Sequence, residues 1–151
     1  MNNLIKILTA LFFSVSLYAE TVSIMTFNVE NLFDNRNDAY KTDETYLEFS
    51  KKQTPLHIKN CEKISTKRWR DDCLYIDWTD EVIEHKLNSI ASVILSYGSN
   101  GPDIIGLQEV ENKRILKQLF KKLEEAGYKH SVLLEGLSLI HISEPTRQPC
   151  I

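Results

Sequence analysis

Apolar positions along the chain follow two periods, and each predicts its own element. Thr21–Val29, TVSIMTFNV, alternates, with Val22, Ile24 and Thr26 on one face and Met25, Phe27 and Val29 on the other. Apolar side chains on both faces predict a strand covered on both sides. Asn28 lies near its end, ahead of Glu30-Asn31-Leu32-Phe33-Asp34. Asn and Asp favour turns over strands, so the strand is predicted to stop there. Over Thr79–Tyr97 the period becomes helical, through Ile83, Leu87, Ile90, Ile94 and Tyr97. Thr79 is the predicted N-cap, Asp80, Glu81 and Glu84 suit the positive end of the helix dipole, and Gly98 follows the last apolar position. His85 falls off this stripe and reads as an exposed histidine. A turn at Gly101-Pro102 leads into a short apolar run, Asp103–Gln108. A second helix, from about Asn112 to Ala126, carries Ile115, Leu116, Leu119, Phe120 and Leu123 on one stripe and stops before Gly127. Tyr128–Leu134 alternates weakly and reads as a third strand. Strand, long loop, helix, strand, helix, strand is α/β layering.

The loop in that order, Asn35–Asp77, has no clear period, and its charges are segregated. Asn31–Ser50 holds Asp34, Asp38, Asp43, Glu44 and Glu48 against Arg36 and Lys41. Lys51–Arg70 holds Lys51, Lys52, Lys59, Lys63, Lys67, Arg68 and Arg70 against Glu62. Loops of this length inside a domain are usually functional or mobile. Lys67, Arg68 and Arg70, with His57 and Trp69 in the same half, suit contact with a phosphate backbone. A solvated insertion pinned by a disulfide suits the same pattern.

The two ends of the chain stand apart from this body. Lys6 precedes the apolar run Ile7–Leu17, and Ser16-Leu17-Tyr18-Ala19 closes it with a small residue. That is the pattern of a secretory signal cleaved after Ala19, on a run too short to span a bilayer comfortably. The mature chain is therefore expected to be exported, periplasmic or extracellular, with no stable membrane insertion after cleavage. At the other end Leu137–Arg147, LSLIHISEPTR, resembles one translated frame of a common transposase sequencing adapter, and Gln148-Pro149-Cys150-Ile151 fits its continuation. The pattern alone also allows a strand and loop there. On the adapter reading the native segment stops near Gly136, and His141 and Cys150 belong to no site. At 151 residues, 42% hydrophobic, with a formal charge of −3, the chain holds one domain at most. Cys61 and Cys73 then remain as the pair, expected as a disulfide in an oxidising compartment. Closing a loop of about a dozen residues contributes roughly 3 kcal/mol in the chain-entropy model. Two cysteines make a poor transition-metal site, and no neighbouring His or Cys in the pattern completes one.

Chemistry concentrates at Gly101–Asn112, GPDIIGLQEVEN. Glu109 follows where the apolar run ends, at the rim of a sheet where open α/β folds place their sites. A carboxylate fixed on rigid backbone suits a hard divalent cation such as Mg²⁺. A glutamate that solvates a strand end or caps the next helix fits the same stretch.

TFNVENLFD at Thr26–Asp34, together with PDIIGLQEVEN at Pro102–Asn112, resembles the endonuclease/exonuclease/phosphatase superfamily of metal-dependent phosphoesterases. Trp78 and the helix KLNSIASVIL, Lys86–Leu95, sit between the motifs as that family's first helix does. The resemblance covers nearly all of Val22–Leu134 except Asn35–Asp77. It implies an α/β (α+β) chain that holds the N-terminal part of a four-layer αββα sandwich, truncated. Residues 1–19 are then the signal peptide, 20–136 the N-terminal part of the domain with 35–77 as a long insertion loop, and 137–151 the non-native tail. It further implies an exported divalent-metal phosphodiesterase, foremost an endo- or exonuclease, using Mg²⁺ or Mn²⁺ on nucleic acid or another phosphodiester. Asn28 takes the place of the asparagine that organises the metal and phosphate site, and Glu109 that of the principal metal ligand. These residue types suit the reaction. The phosphate needs its charge neutralised while water attacks in line, and a neutral amide touches it without repulsion. Asn31 and Asp34 are subsidiary candidates, Asp34 reading rather as a turn residue. The family's later Asp, Asn and His residues, including its Asp–His pair, have no counterpart: His57, His85 and His130 lack the accompanying Asp. The 151-residue chain is therefore expected to be inactive, although its parent is an enzyme. Rival readings are a phosphatase or sphingomyelinase-type phospholipase of the same superfamily, and a non-catalytic secreted binding module. Nothing in the pattern sets an oligomeric state.

Overall fold

Two parallel strands, β1 (Ile24–Leu32) and β2 (Ile104–Val110), form the sheet of the computed structural model, which describes residues 21–134. The expected signal segment Met1–Ala19 and the expected non-native tail from Leu137 lie outside the described residues. Between the strands come α1 (Pro55–Glu62), α2 (Lys67–Tyr75) and α3 (Asp80–Leu95), and after them α4 (Lys113–Leu123). Parallel strands require a crossover, and α3 supplies it. Ile24 faces Ile104, Phe27 faces Leu107 and Asn28 faces Gln108 across the ladder. Met25, Phe27, Val29, Ile105 and Leu107 turn towards α3 and α4, where Ile83, Leu87, Ile90, Ile94, Ile115, Leu119 and Leu123 complete the core. The class is mixed α/β, with one small parallel sheet and helices packed on one of its faces. No helix among the described residues is long and apolar enough to cross a membrane.

The helices start where their capping residues put them. Thr79 accepts a hydrogen bond from the Val82 N–H, and Asn112 accepts from the N–H groups of Arg114 and Ile115. Each satisfies donors that the first turn leaves free. Gly101 turns the chain at φ 84°, and a Cβ there would lie 2.6 Å from the Tyr128 hydroxyl, which donates to the Pro102 carbonyl. Only glycine meets both demands.

Four expectations need correction. β1 does not span Thr21–Val29; it begins at Ile24 and runs past Val29 to Leu32 through a bulge, because side chains satisfy the irregular backbone that Asn and Glu adopt there. Nor is β1 covered on both sides, since Ile24 is 68% exposed and Val22 58%. Tyr128–Leu134 is not a strand: only Leu133 forms a bridge, and Tyr128 is committed to the turn at Gly101. Asn35–Asp77, finally, is not a bare loop. It contains short 3₁₀ turns at Glu44–Tyr46 and Phe49–Lys52 as well as α1 and α2. α1 begins with Thr54 as cap and Pro55 in its first turn, a favoured start that depends on no apolar stripe. A disulfide between Cys61 and Cys73 ties the two helices together.

Candidate functional site

The bulge builds the site. After the Asn28–Gln108 pair, the next pair is Leu32–Val110, so Val29, Glu30 and Asn31 stand opposite Glu109 alone. Glu30, Asn31 and Glu109 take positive φ values of 52°, 62° and 64°. Left-handed backbone costs roughly 1–2 kcal/mol at a residue other than glycine, and such strain gathers at functional sites. Here side chains offset it. Asn28 Nδ2 donates to Glu109 Oε1 at 2.7 Å, and the Asn31 N–H donates to Glu109 Oε2 at 3.1 Å. The Glu30 N–H donates to Asn28 Oδ1 at 2.8 Å, which fixes which end of the amide faces Glu109. Lys86 Nζ donates to the Glu30 carbonyl at 2.7 Å and lies 5.9 Å from the centre of the Trp78 ring.

Electrostatics round the glutamate are unequal. Burial lowers the Lys86 pKa, against the pull of the Glu30 and Glu109 carboxylates. The Tyr46 phenol is raised first by burial and then by the charges of Asp72 and Glu109. Its ring stacks on Phe33 at 4.1 Å and meets Trp78 edge-on at 5.2 Å. Trp78 Nε1 donates to the Phe33 carbonyl. Phe33, Tyr46 and Trp78 thus form one aromatic cluster.

Glu109 fits a hard divalent cation. Each of its oxygens accepts one N–H, and a carboxylate oxygen has a second acceptor direction free. Mg²⁺ keeps several waters and needs only one or two carboxylates. Asn28 accepts the Glu30 N–H through Oδ1, which keeps a second acceptor direction, and presents its own N–H to the glutamate. Asn31 contributes its backbone rather than its side chain.

Asp34 belongs to a second cluster. It is 5% exposed and takes Arg114 through Nε at 2.8 Å and Nη2 at 3.3 Å. Burial pushes its pKa up, but hydrogen bonds from Arg114, Asn112 and the Arg36 N–H outweigh that and leave it lowered. Arg114 also holds Asp38 at 2.7 Å. Asn112 Nδ2 lies at 2.9 Å from Glu111, 3.2 Å from Asp34 and 3.3 Å from Asp38. Glu111 is pushed up to about 8, first by burial and then by Asp34 and Asp43.

The remaining candidates are dispersed. Lys67 pairs with Asp71, and Arg70 donates to the Ile64 carbonyl at 2.8 Å. Arg68 and Trp69 are exposed. Lys52, counted in the basic run, is 1% exposed and faces away from any ligand in solution. A histidine does stand beside the cysteines: His57 Nε2 lies 3.2 Å from Cys61 Sγ and 3.0 Å from the Cys73 carbonyl. The spacing of four along α1 was the overlooked signal, but sulfurs bonded to each other are not thiolate ligands. His85 and His130 are exposed, and among the described residues no histidine hydrogen-bonds an aspartate. Lys86 went unread although it lies three residues after Ile83 and four before Ile90, on the inward face of α3. A lysine on that stripe signals a specific partner.

Residues 73–136 match the model of the Endonuclease/Exonuclease/phosphatase family. The match takes in α3, β2 and α4, with Glu109, Glu111 and Asn112; Asn28 precedes it. No curated protein and no solved structure matches the chain.

Proposed function

We propose, on the premise that this chain belongs over residues 73–136 to the endonuclease/exonuclease/phosphatase family, that the intact protein is an exported, divalent-metal-dependent phosphodiesterase acting on nucleic acid. The observation that carries the site is the 2.7 Å contact between Asn28 and Glu109, made where two parallel strands share one bulge. Glu109 would hold Mg²⁺ or Mn²⁺. Bound there, the cation supplies positive charge to the non-bridging phosphate oxygens.

The chain's own residues prepare that position. Asn28 and the Asn31 N–H fix both oxygens of Glu109, so its direction is set before any ligand arrives. Asn28 is a positioning residue for that carboxylate in this reading. Lys86 holds the Glu30 carbonyl and brings a partly desolvated positive charge close to the site. Phe33, Tyr46 and Trp78 stack together beside Lys86, whose Nζ lies 5.9 Å from the Trp78 ring. An attacking water needs a base within hydrogen-bond reach. No His–Asp pair among the described residues offers one, so the 151-residue chain does not turn over substrate by itself. Export is supported by the leader pattern and the Cys61–Cys73 bond. A nucleic-acid substrate is favoured by Arg68 and the 53% exposed Trp69, a charge beside a stacking surface.

The test assays the intact protein on DNA, RNA, a generic phosphodiester and sphingomyelin vesicles, with Mg²⁺, Mn²⁺ or chelator. Expected is metal-dependent cleavage of nucleic acid that falls by at least about 10²-fold in Glu109→Gln, and no turnover by the 151-residue chain. Full activity in Glu109→Gln would sink the assignment. Cleavage of sphingomyelin alone would replace the nuclease by a phospholipase.

A further inference from the structure

We propose that Asp38, Asp43 and Glu111 form a Ca²⁺ site, separate from Glu109, that fastens the start of the insertion to the head of α4. One carboxylate oxygen from each lies within 4.8 Å of the others. Asp43 is 2% exposed and Glu111 7%, yet Asp43 Oδ1 and Glu111 Oε1 have no hydrogen-bond partner among the described residues. Unpaired buried carboxylate oxygens are costly and imply a missing partner.

The hydrogen bonds that are made aim those free oxygens. Asp43 Oδ2 accepts the Asp38 N–H at 2.8 Å, leaving Oδ1 bare. Glu111 Oε2 accepts the Asp34 N–H at 3.0 Å and Asn112 Nδ2 at 2.9 Å, leaving Oε1 bare. Asp38 is held through Oδ1 by Arg114 and more loosely through Oδ2 by Asn112. Asp43 and Glu111 are therefore each fixed by one oxygen with the other bare, and Asp38, held by both, keeps a spare acceptor direction.

Charge decides between a proton and a metal ion. Asp34, Asp38, Asp43 and Glu111 bring four negative charges; Arg114 bonds two of the acids, and Lys41 Nζ lies 3.4 Å from the Glu111 carbonyl. Two negative charges remain. A proton shared by Asp43 and Glu111 removes one of them, and a divalent cation removes both. Ca²⁺ takes six to eight oxygens in flexible geometry and accepts several protein carboxylates directly, whereas Mg²⁺ dehydrates reluctantly and keeps its waters. Buried carboxylates supplied by the protein itself suit Ca²⁺.

The test takes the 151-residue chain freed of metal by chelator, titrates it calorimetrically with CaCl₂ and with MgCl₂, and follows thermal unfolding. Expected is one Ca²⁺ per chain and a higher melting temperature, with Mg²⁺ weaker. Asp43→Asn and Glu111→Gln should each weaken Ca²⁺ by at least about tenfold, while Glu109→Gln leaves it unchanged. Asp38→Asn, at a less buried ligand, serves if the other two fail to fold. No binding by the unaltered chain overturns the proposal, and Asp43→Asn raising the melting temperature would then identify a shared proton. Binding equal for Mg²⁺, unaffected by the cluster variants, or lost in Glu109→Gln overturns it as well.

Discussion

Asn28 and Glu109 serve the backbone and the proposed chemistry together, and an exchange of acid and amide separates the two. Both Glu109 oxygens accept from N–H donors. In Glu109→Gln one of those donors meets an amide N–H₂ instead. In Asn28→Asp one oxygen still accepts from Glu30, but the other opposes the Glu109 carboxylate. Each single change is expected to cost about 1–2 kcal/mol. Combined, Asn28→Asp with Glu109→Gln restores a donor facing an acceptor, and denaturant unfolding should show most of the loss recovered. Binding of Mn²⁺ should not recover, because the carboxylate then sits on the wrong strand. Recovery of both would make the pair merely structural, and recovery of neither would mean that the contact is not what holds the bulge. Glu109 stood out in the sequence only when PDIIGLQEVEN was taken together with TFNVENLFD, because alone an acid after an apolar run also reads as a solvated strand end. Glu30 and Asn31 read as turn residues, since their role depends on positive φ values that no periodicity records. Asp34, Asp38, Asp43 and Glu111 were invisible as a cluster; they come from two segments about 70 residues apart, and only the bulge brings them together.

At the scale of elements, the insertion is held by a lysine rather than by a core. Lys52 is 1% exposed, and its Nζ donates to the Thr45 carbonyl at 2.6 Å and the Asp72 carbonyl at 3.5 Å. It thereby links the Glu44–Tyr46 turn to α2. Burial lowers its pKa to about 8, with Asp77 and Asp72 opposing the shift. The unfolded amine keeps its proton up to 10.5, so between about pH 8 and 10.5 the unfolded chain binds the extra proton. Stability contributed through this group therefore rises with pH across that window, by on the order of 3 kcal/mol at most. Tyr46, raised above 10.0, acts in the opposite sense only above pH 10. Urea unfolding between pH 8 and 10 should show the rise, and Lys52→Met should flatten it. An unchanged slope would show that another group titrates. α3, β2 and α4 were readable because each carries a stripe or run that packs on the core. α1 and α2 were not, because they bury little beyond Cys61, Cys73 and His57 and start from local capping instead.

For the whole molecule the open question is what covers the outer face of the sheet. Ile24 and Ile104 are paired neighbours, 68% and 43% exposed, and Val22 beside them is 58% exposed. Helices cover the opposite face. A two-stranded sheet with one bare apolar face and two outer edges is prone to pair with another copy. In a four-layer sandwich that face meets a second sheet. The 151-residue chain is therefore expected to self-associate at micromolar to millimolar concentration, seen as sedimentation that changes with loading, while the intact protein does not associate through this face. Ile24→Thr with Ile104→Thr keeps β-branched side chains and removes apolar surface where little is buried. It should shift the chain towards monomer and alter stability by only about 0.5 kcal/mol. Leu107→Ala, on the inward face at 4% exposure, should instead cost about 2–5 kcal/mol and leave association unrelieved. A chain that stays monomeric throughout, or one whose association ignores the double threonine variant, would mean that this face is not where a second sheet packs.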